Sequence, residues 1–111
     1  MIRDIRFSEE FDKALKRLKK KYKSLPDDFK KLLLQLTDNP YQGAELHDGM
    51  RKVRMSIASK AKGKSGGGRV IIHLTINDTC LSFLYIYDKS DMESVSDAFL
   101  DDIILKINEE T

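Results

Sequence analysis

The chain has 111 residues, the length of one domain, and a second core has no room. With 41% hydrophobic and 34% charged residues it is too apolar for a disordered tail and too charged to live in a bilayer, which leaves a soluble globular domain. A net charge of +2 selects no partner, but the charge is segregated: basic residues concentrate between 13 and 69, whereas residues 91–111 hold Asp91, Glu93, Asp97, Asp101, Asp102, Glu109 and Glu110 against Lys106 alone.

Cys80 is the single cysteine, so no internal disulfide can form, and no Cys/His group has metal-ligand spacing; neither metal nor cofactor is expected. Residues 1–11 alternate charge with apolar side chains and lack the apolar stretch of a secretory signal, and no segment reaches the roughly 18 apolar residues that span a bilayer. A cytoplasmic protein without membrane contact is expected.

In chain order, Met1 to Phe7 reads as a short strand. Ser8 is a helix N-cap with Glu9 and Glu10 in the first turn, and Phe11, Leu15, Leu18 and Tyr22 form one stripe opposite a face of Lys13, Lys16, Arg17, Lys20 and Lys21. That lysine face reads as solvated, and it also suits a large polyanion. Ser24 caps a second helix with Pro26 in its first turn, buried through Phe29, Leu32, Leu33 and Leu36 and ended by Asp38-Asn39-Pro40, which predicts a helix hairpin. From Arg51 the period becomes two, with Val53, Met55 and Ile57 alternating with Lys52, Arg54 and Ser56. Ser59 to Gly68 reads as a glycine-rich loop, and Arg69 to Ile76 and Cys80 to Tyr87 as strands joined by a turn at Asn77-Asp78. Ser90-Asp91-Met92-Glu93 has the form of a capping box opening a last helix, whose stripe is Val95, Phe99, Ile103 and Ile107. The fold class is α+β: an N-terminal strand and a helix hairpin packed on a small antiparallel sheet, with a C-terminal helix.

Alternation along the strands sorts the sheet into two faces. Val53, Met55, Ile57, Val70, Ile72, Leu74, Leu84 and Ile86 are assigned to the helix hairpin, and Lys52, Arg54, Arg69, Ile71, His73, Phe83, Tyr85 and Tyr87 to the opposite face. The last helix would cover the apolar part of that second face, leaving Lys52, Arg54, Arg69 and Tyr87, with Lys89 just beyond the strand, as a basic patch. Lys60, Lys62 and Lys64 in the adjoining loop add cations and backbone N–H groups suited to a polyphosphate chain.

The run from Ala58 to Ser65 is superficially a Walker A motif, but Ala58 stands where the first glycine belongs and a strand, not a helix, follows Gly66-Gly67-Gly68. Nucleotide hydrolysis is therefore set aside. His73, mid-strand among large apolar residues, reads as a packed or hydrogen-bonded histidine, and His47 lies in a polar loop with no partner evident from sequence.

Leu46, the run from Gly49 to Arg54, the run from Ser59 through the lysine and glycine loop to Ile71, and Tyr85-Ile86-Tyr87-Asp88-Lys89-Ser90 together resemble the RelE/ParE toxin superfamily, most closely its HigB-like branch. The resemblance covers nearly the whole chain, as a single RelE/HigB-like domain over residues 1–111. It implies a type II toxin partnered by a cognate antitoxin and acting on the ribosome, where such toxins cleave messenger RNA in the A site without a metal. By that resemblance Lys52 and Arg54 match the basic strand positions, Arg69 the arginine opening the next strand, and Lys89 a basic residue after the last strand. The C-terminal tyrosine of some RelE members has no counterpart here, Val95 falling near its position, which passes stacking on the base to Tyr87.

RNA cleaves itself when its 2′-OH attacks the adjacent phosphate, so an enzyme must align the groups, take one proton, give another and neutralise the phosphorane. Lys52, crowded by two arginines, is expected as the base. Arg54 and Arg69 are expected to stabilise the phosphorane, Arg69 bidentately, and Lys89 or Tyr87 to protonate the leaving 5′-oxygen. Lys60, Lys62, Lys64 and Arg51 are expected to hold ribosomal or messenger phosphates. Two other readings compete: a ParE-like inhibitor of DNA gyrase, which the basic strand constellation disfavours, and a non-catalytic RNA-binding module.

Overall fold

The computed structural model describes residues 1–60, 67–75 and 77–109. Among these the elements are β1 (Asp4–Phe7), α1 (Glu9–Lys21), α2 (Leu25–Asp38), β2 (Ala44–Glu45), β3 (Met50–Met55), β4 (Gly68–Thr75), β5 (Cys80–Asp88) and α3 (Asp97–Glu109). The strands form one five-stranded sheet in the order β1-β5-β4-β3-β2. The expected α+β architecture is present, with one correction to the sheet: β1 runs parallel to β5, so the sheet is mixed rather than antiparallel. Its partner lies more than 70 residues along the chain, and such a pairing leaves no mark on local periodicity.

Ser8 caps α1, its Oγ accepting from the Phe11 N–H at 2.8 Å and donating to the Leu84 carbonyl at 2.6 Å, which ties the helix to the sheet. Acids fill the first turn of α1 and lysines the last, in the sense the helix dipole favours. Ser24 does not cap α2 as expected. Its backbone is helical and its hydroxyl instead donates to Asp28 Oδ2 at 2.6 Å and accepts from the Ser59 N–H at 2.8 Å. Asp28 also accepts from the Ala58 N–H at 3.1 Å, so α2 holds the chain just beyond β3. Between the helices and β3, β2 is a strand the periodicity did not reveal. It is only two residues long, and it follows Gly43, whose φ of +83° and position 2.3 Å (from its would-be Cβ) off the Lys52 carbonyl oxygen admit no side chain.

Two cores lie on opposite faces of the sheet. Under α1 and α2, Phe11, Leu18, Leu25, Leu32 and Leu36 meet Val53, Met55, Val70, Ile72, Leu81, Phe83 and Ile86, and the rings of Phe7, Phe11, Phe29 and Phe83 pack with centroids 5.2–6.3 Å apart. Under α3, Met50, Ile71, Leu84 and Tyr87 meet Leu100, Ile103 and Ile107. The face assignment read from alternation is thus corrected at Phe83 and Leu84, which exchange sides. The reason is a β-bulge: Ile71 pairs with Tyr85 and Ile72 with Phe83, leaving Leu84 as the extra residue, after which the alternation resumes one position out of step.

The capping box also proves to be a different structure. The Ser90 N–H and Oγ both bond Asp88 Oδ1, at 2.9 and 2.8 Å, and the N–H groups of Asp91 and Met92 reach the Asp88 carbonyl, closing a turn. The helix begins six residues later at Asp97, with Ser96 Oγ accepting from the Phe99 N–H at 3.1 Å; Leu100 rather than the part-exposed Phe99 lies on its buried stripe. No helix among the described residues is long and apolar enough to cross a membrane.

Candidate active site

Strand register builds the site. Arg54 of β3 lies opposite Arg69 of β4, and Arg69 lies opposite Tyr87 of β5. Lys52 shares the face of Arg54 two residues earlier, and the chain beyond β5 is fastened back by the Lys89 N–H, which donates to the Gly67 carbonyl at 3.2 Å. The result is a cleft of about 330 Å³ lined by Ala44, Lys52, Arg54, Arg69, Lys89 and Glu93. Four cations thus converge on one concavity. Like charges directly opposite one another in a sheet are destabilising, and an anion seated in the cleft would offset that cost.

The residues differ in depth. Arg54 and Lys89 are exposed, Lys52 is half-buried, and Arg69 is only 7% exposed, with Nη1 donating to the Gly68 carbonyl at 3.0 Å. Tyr87 does not line the cleft. Its ring is buried in the core under α3 and stacks on Tyr85, and its hydroxyl donates to the Glu93 carbonyl at 3.3 Å. Burial raises its pKa, against a smaller downward pull from Arg69. Tyr87 therefore supports the segment that carries Glu93.

Behind the cleft Asp88, 1% exposed, is the joint of this corner. It accepts hydrogen bonds from the Tyr22 hydroxyl, from Lys60 Nζ at 2.5 Å and from Ser90, with Lys21 Nζ 3.8 Å away. Burial is the largest single influence on this carboxyl and would raise its pKa. The combined hydrogen bonds from Lys60, Tyr22 and Ser90 prevail and hold it well below the usual carboxylate range. Lys60 is accordingly turned inward, its side chain 12% exposed, and does not reach into solvent as a loop cation would. Lys62 and Lys64 lie outside the described residues.

Arg51 is not at the cleft. It points to the other face, where Nε donates to the Gln42 carbonyl at 2.9 Å and Nη2 to that of Gly43 at 3.2 Å, pinning the segment that leads into β2. His73 pairs with the Asp48 carbonyl at 2.9 Å, and burial lowers its pKa. His47 has partners the sequence did not disclose: Asp101 at 3.0 Å and Asp97 at 3.7 Å, both on α3, with the Asp101 hydrogen bond chief among the influences that raise its pKa. His47, Asp48 and Asp101 place possible ligand atoms within 4.8 Å of one another, a group assembled by folding that no chain spacing announces. It stands on the surface at the start of α3, and its donor atoms are engaged with each other.

Lys52, Arg54, Arg69 and Lys89, grouped from the sequence, line one cleft, whereas Glu93 and Asp88 were not singled out. Alternation can place strand residues, but Glu93 lies in an irregular segment and Asp88 ends its strand as one more acid beside a lysine.

No family model matches the chain, and no curated protein does. Among solved structures, an arginine-to-alanine double mutant of the E. coli toxin RelE in the free state matches with a TM-score of 0.57 over 96% of this chain and 99% of that one, at 14% sequence identity. Identity at that level speaks to the arrangement of elements, which the two share from end to end. The chain has a RelE-like fold.

Proposed function

We propose that this protein is the toxin of a toxin–antitoxin pair, of the HigB-like branch, and that it inhibits translation by cutting messenger RNA on the ribosome in the cytoplasm. The observation that carries the reading is the convergence of Lys52, Arg54, Arg69 and Lys89 on one cleft. The RelE-like fold supports it, and so does the exposed basic face of α1, where Lys16, Arg17, Lys19 and Lys20 suit a large polyanion such as the ribosome.

The chemistry asked of the cleft is internal transesterification. The 2′-oxygen bonds to phosphorus, the bond from phosphorus to the 5′-oxygen breaks, and a 2′,3′-cyclic phosphate and a 5′-hydroxyl result. The negative charge on the phosphorane is met by Arg54 and Arg69, whose guanidiniums stay charged throughout. Lys89, exposed on the cleft wall, is the donor to the leaving oxygen, in preference to Tyr87, whose hydroxyl is committed to the Glu93 carbonyl. Lys52 is the acceptor suggested by sequence. An antitoxin would silence the protein by covering this cleft.

Induction in a bacterial host, followed by primer extension on a translated message, tests the proposal. Growth arrest with cuts in step with codons, abolished when ribosomes are kept off the message, is the expected outcome. Arrest with intact messages and trapped gyrase would replace it with the gyrase reading, and normal growth with soluble folded protein would end it.

A further inference from the structure

Among the described residues that line the cleft, Glu93 is the one acid. The other ionisable groups on its wall are two arginines and two lysines. A guanidinium cannot accept a proton, and an ammonium can do so only after giving up its own, whereas a carboxylate is an acceptor with no donor capacity. Glu93 is also held in place. The Tyr87 hydroxyl bonds its backbone carbonyl, and the turn before it is closed on Asp88 through Ser90, Asp91 and Met92. Its side chain is exposed and enters no ion pair among the described residues, although cations of β3, of β4 and of the segment just after β5 line the cleft it borders. A surface acid held by its backbone at a cationic cleft, and not spent on a local salt bridge, is placed to act on what enters.

Resting on the ribonuclease reading above, we infer that Glu93 is the general base of the reaction. Its carboxylate takes the proton of the attacking 2′-OH as the oxygen bonds to phosphorus; Lys89 gives a proton to the departing 5′-oxygen, and both groups return to their starting states by exchange with water. Lys52 then joins Arg54 and Arg69 as a cation about the phosphate. The arrangement also balances charge: an acceptor and a donor stand on one short segment, four residues apart, with the phosphate-binding strands opposite.

The test uses the full-length protein and ribosomes programmed with a defined messenger, in single-turnover reactions. Glu93→Gln is isosteric and removes only the acceptor. It is expected to slow cleavage by about 100-fold or more, with ribosome affinity unchanged or tighter and the melting curve unmoved, and its residual rate should rise about tenfold per pH unit as hydroxide substitutes for the lost base. Glu93→Asp should retain an intermediate rate. Cleavage by Glu93→Gln within a few-fold of wild type overturns the assignment. So does a faster variant with tighter binding, which would make Glu93 a guard of the cleft. If the wild-type protein itself leaves the messenger intact, the ribonuclease reading fails, and with it the base role; the wild-type lane separates that failure from failure of Glu93 alone.

Discussion

Arg54 and Arg69 face each other across β3 and β4, an arrangement that on grounds of stability alone would be avoided, since opposed like charges cost a fraction of a kcal/mol to about 1 kcal/mol. The two are not equivalent. Arg69 is packed into the sheet and bonded to the backbone, so its removal mixes loss of charge with loss of packing. Arg54 is exposed and gives the cleaner experiment. Arg54→Ala is expected to lower single-turnover cleavage by about 100-fold, the usual effect of removing one group that stabilises developing charge, while urea titration finds stability within about 0.5 kcal/mol of wild type. A large loss of stability instead would assign Arg54 to the scaffold. At this scale the sequence was informative where residues sat in regular strands: Lys52, Arg54 and Arg69 could be placed on one face by counting in twos. It was silent on Glu93 and misleading on Lys60, because nothing local says that a lysine at the edge of a glycine-rich loop turns inward to a carboxylate 28 residues away.

The elements meet at irregularities. Leu84 is extra in β5, and because of it Phe83 serves the aromatic cluster beneath α1 and α2 while Leu84 itself fills the space beneath α3. Leu84→Ala leaves a cavity where the sheet cannot collapse, and a loss of about 2–5 kcal/mol in urea unfolding is expected; a loss under about 1 kcal/mol would show that the bulge, and not its side chain, matters. Beyond the bulge, Asp88 joins α1, the end of β5 and the start of the loop. Its pKa is depressed on folding, so the stability it contributes is present above the unfolded carboxylate value of about 4 and is lost as pH falls below it. Asp88→Asn should cost about 3 kcal/mol at neutral pH, the scale of breaking a buried pair, and should flatten the decline in stability between about pH 4 and 2. Parallel acid-unfolding curves for the two proteins would contradict this. Element existence was legible from hydrophobic spacing and turn residues for every helix and for all strands but β2. The parallel seat of β1, the bulge and the late start of α3 depend on which groups compete for a hydrogen bond: the Ser90 N–H had two plausible acceptors, the Glu93 and Asp88 carboxylates, and the buried Asp88 won.

For the molecule as a whole, the sheet separates two tasks. The face beneath α1 and α2 holds the larger core, with exposed lysines on the outer side of α1, and the face that α3 packs on holds the cleft at one end of β3 and β4. Glu93 borders the cleft and α1, on the other side of the sheet, presents Lys16, Arg17, Lys19 and Lys20 to solvent, so one molecule offers a polyanion both a basic helix face and a small charged hollow. The central claim is that this hollow cuts messenger RNA. The most direct measurement mixes purified wild-type protein with purified ribosomes carrying a defined messenger, with the same messenger free of ribosomes beside it, and determines the chemistry of the new ends. Cuts are expected only on the ribosome, without added metal beyond what the ribosome itself requires, leaving a 2′,3′-cyclic phosphate and a 5′-hydroxyl. Intact messenger on the ribosome, or ends carrying a 5′-phosphate, would contradict it.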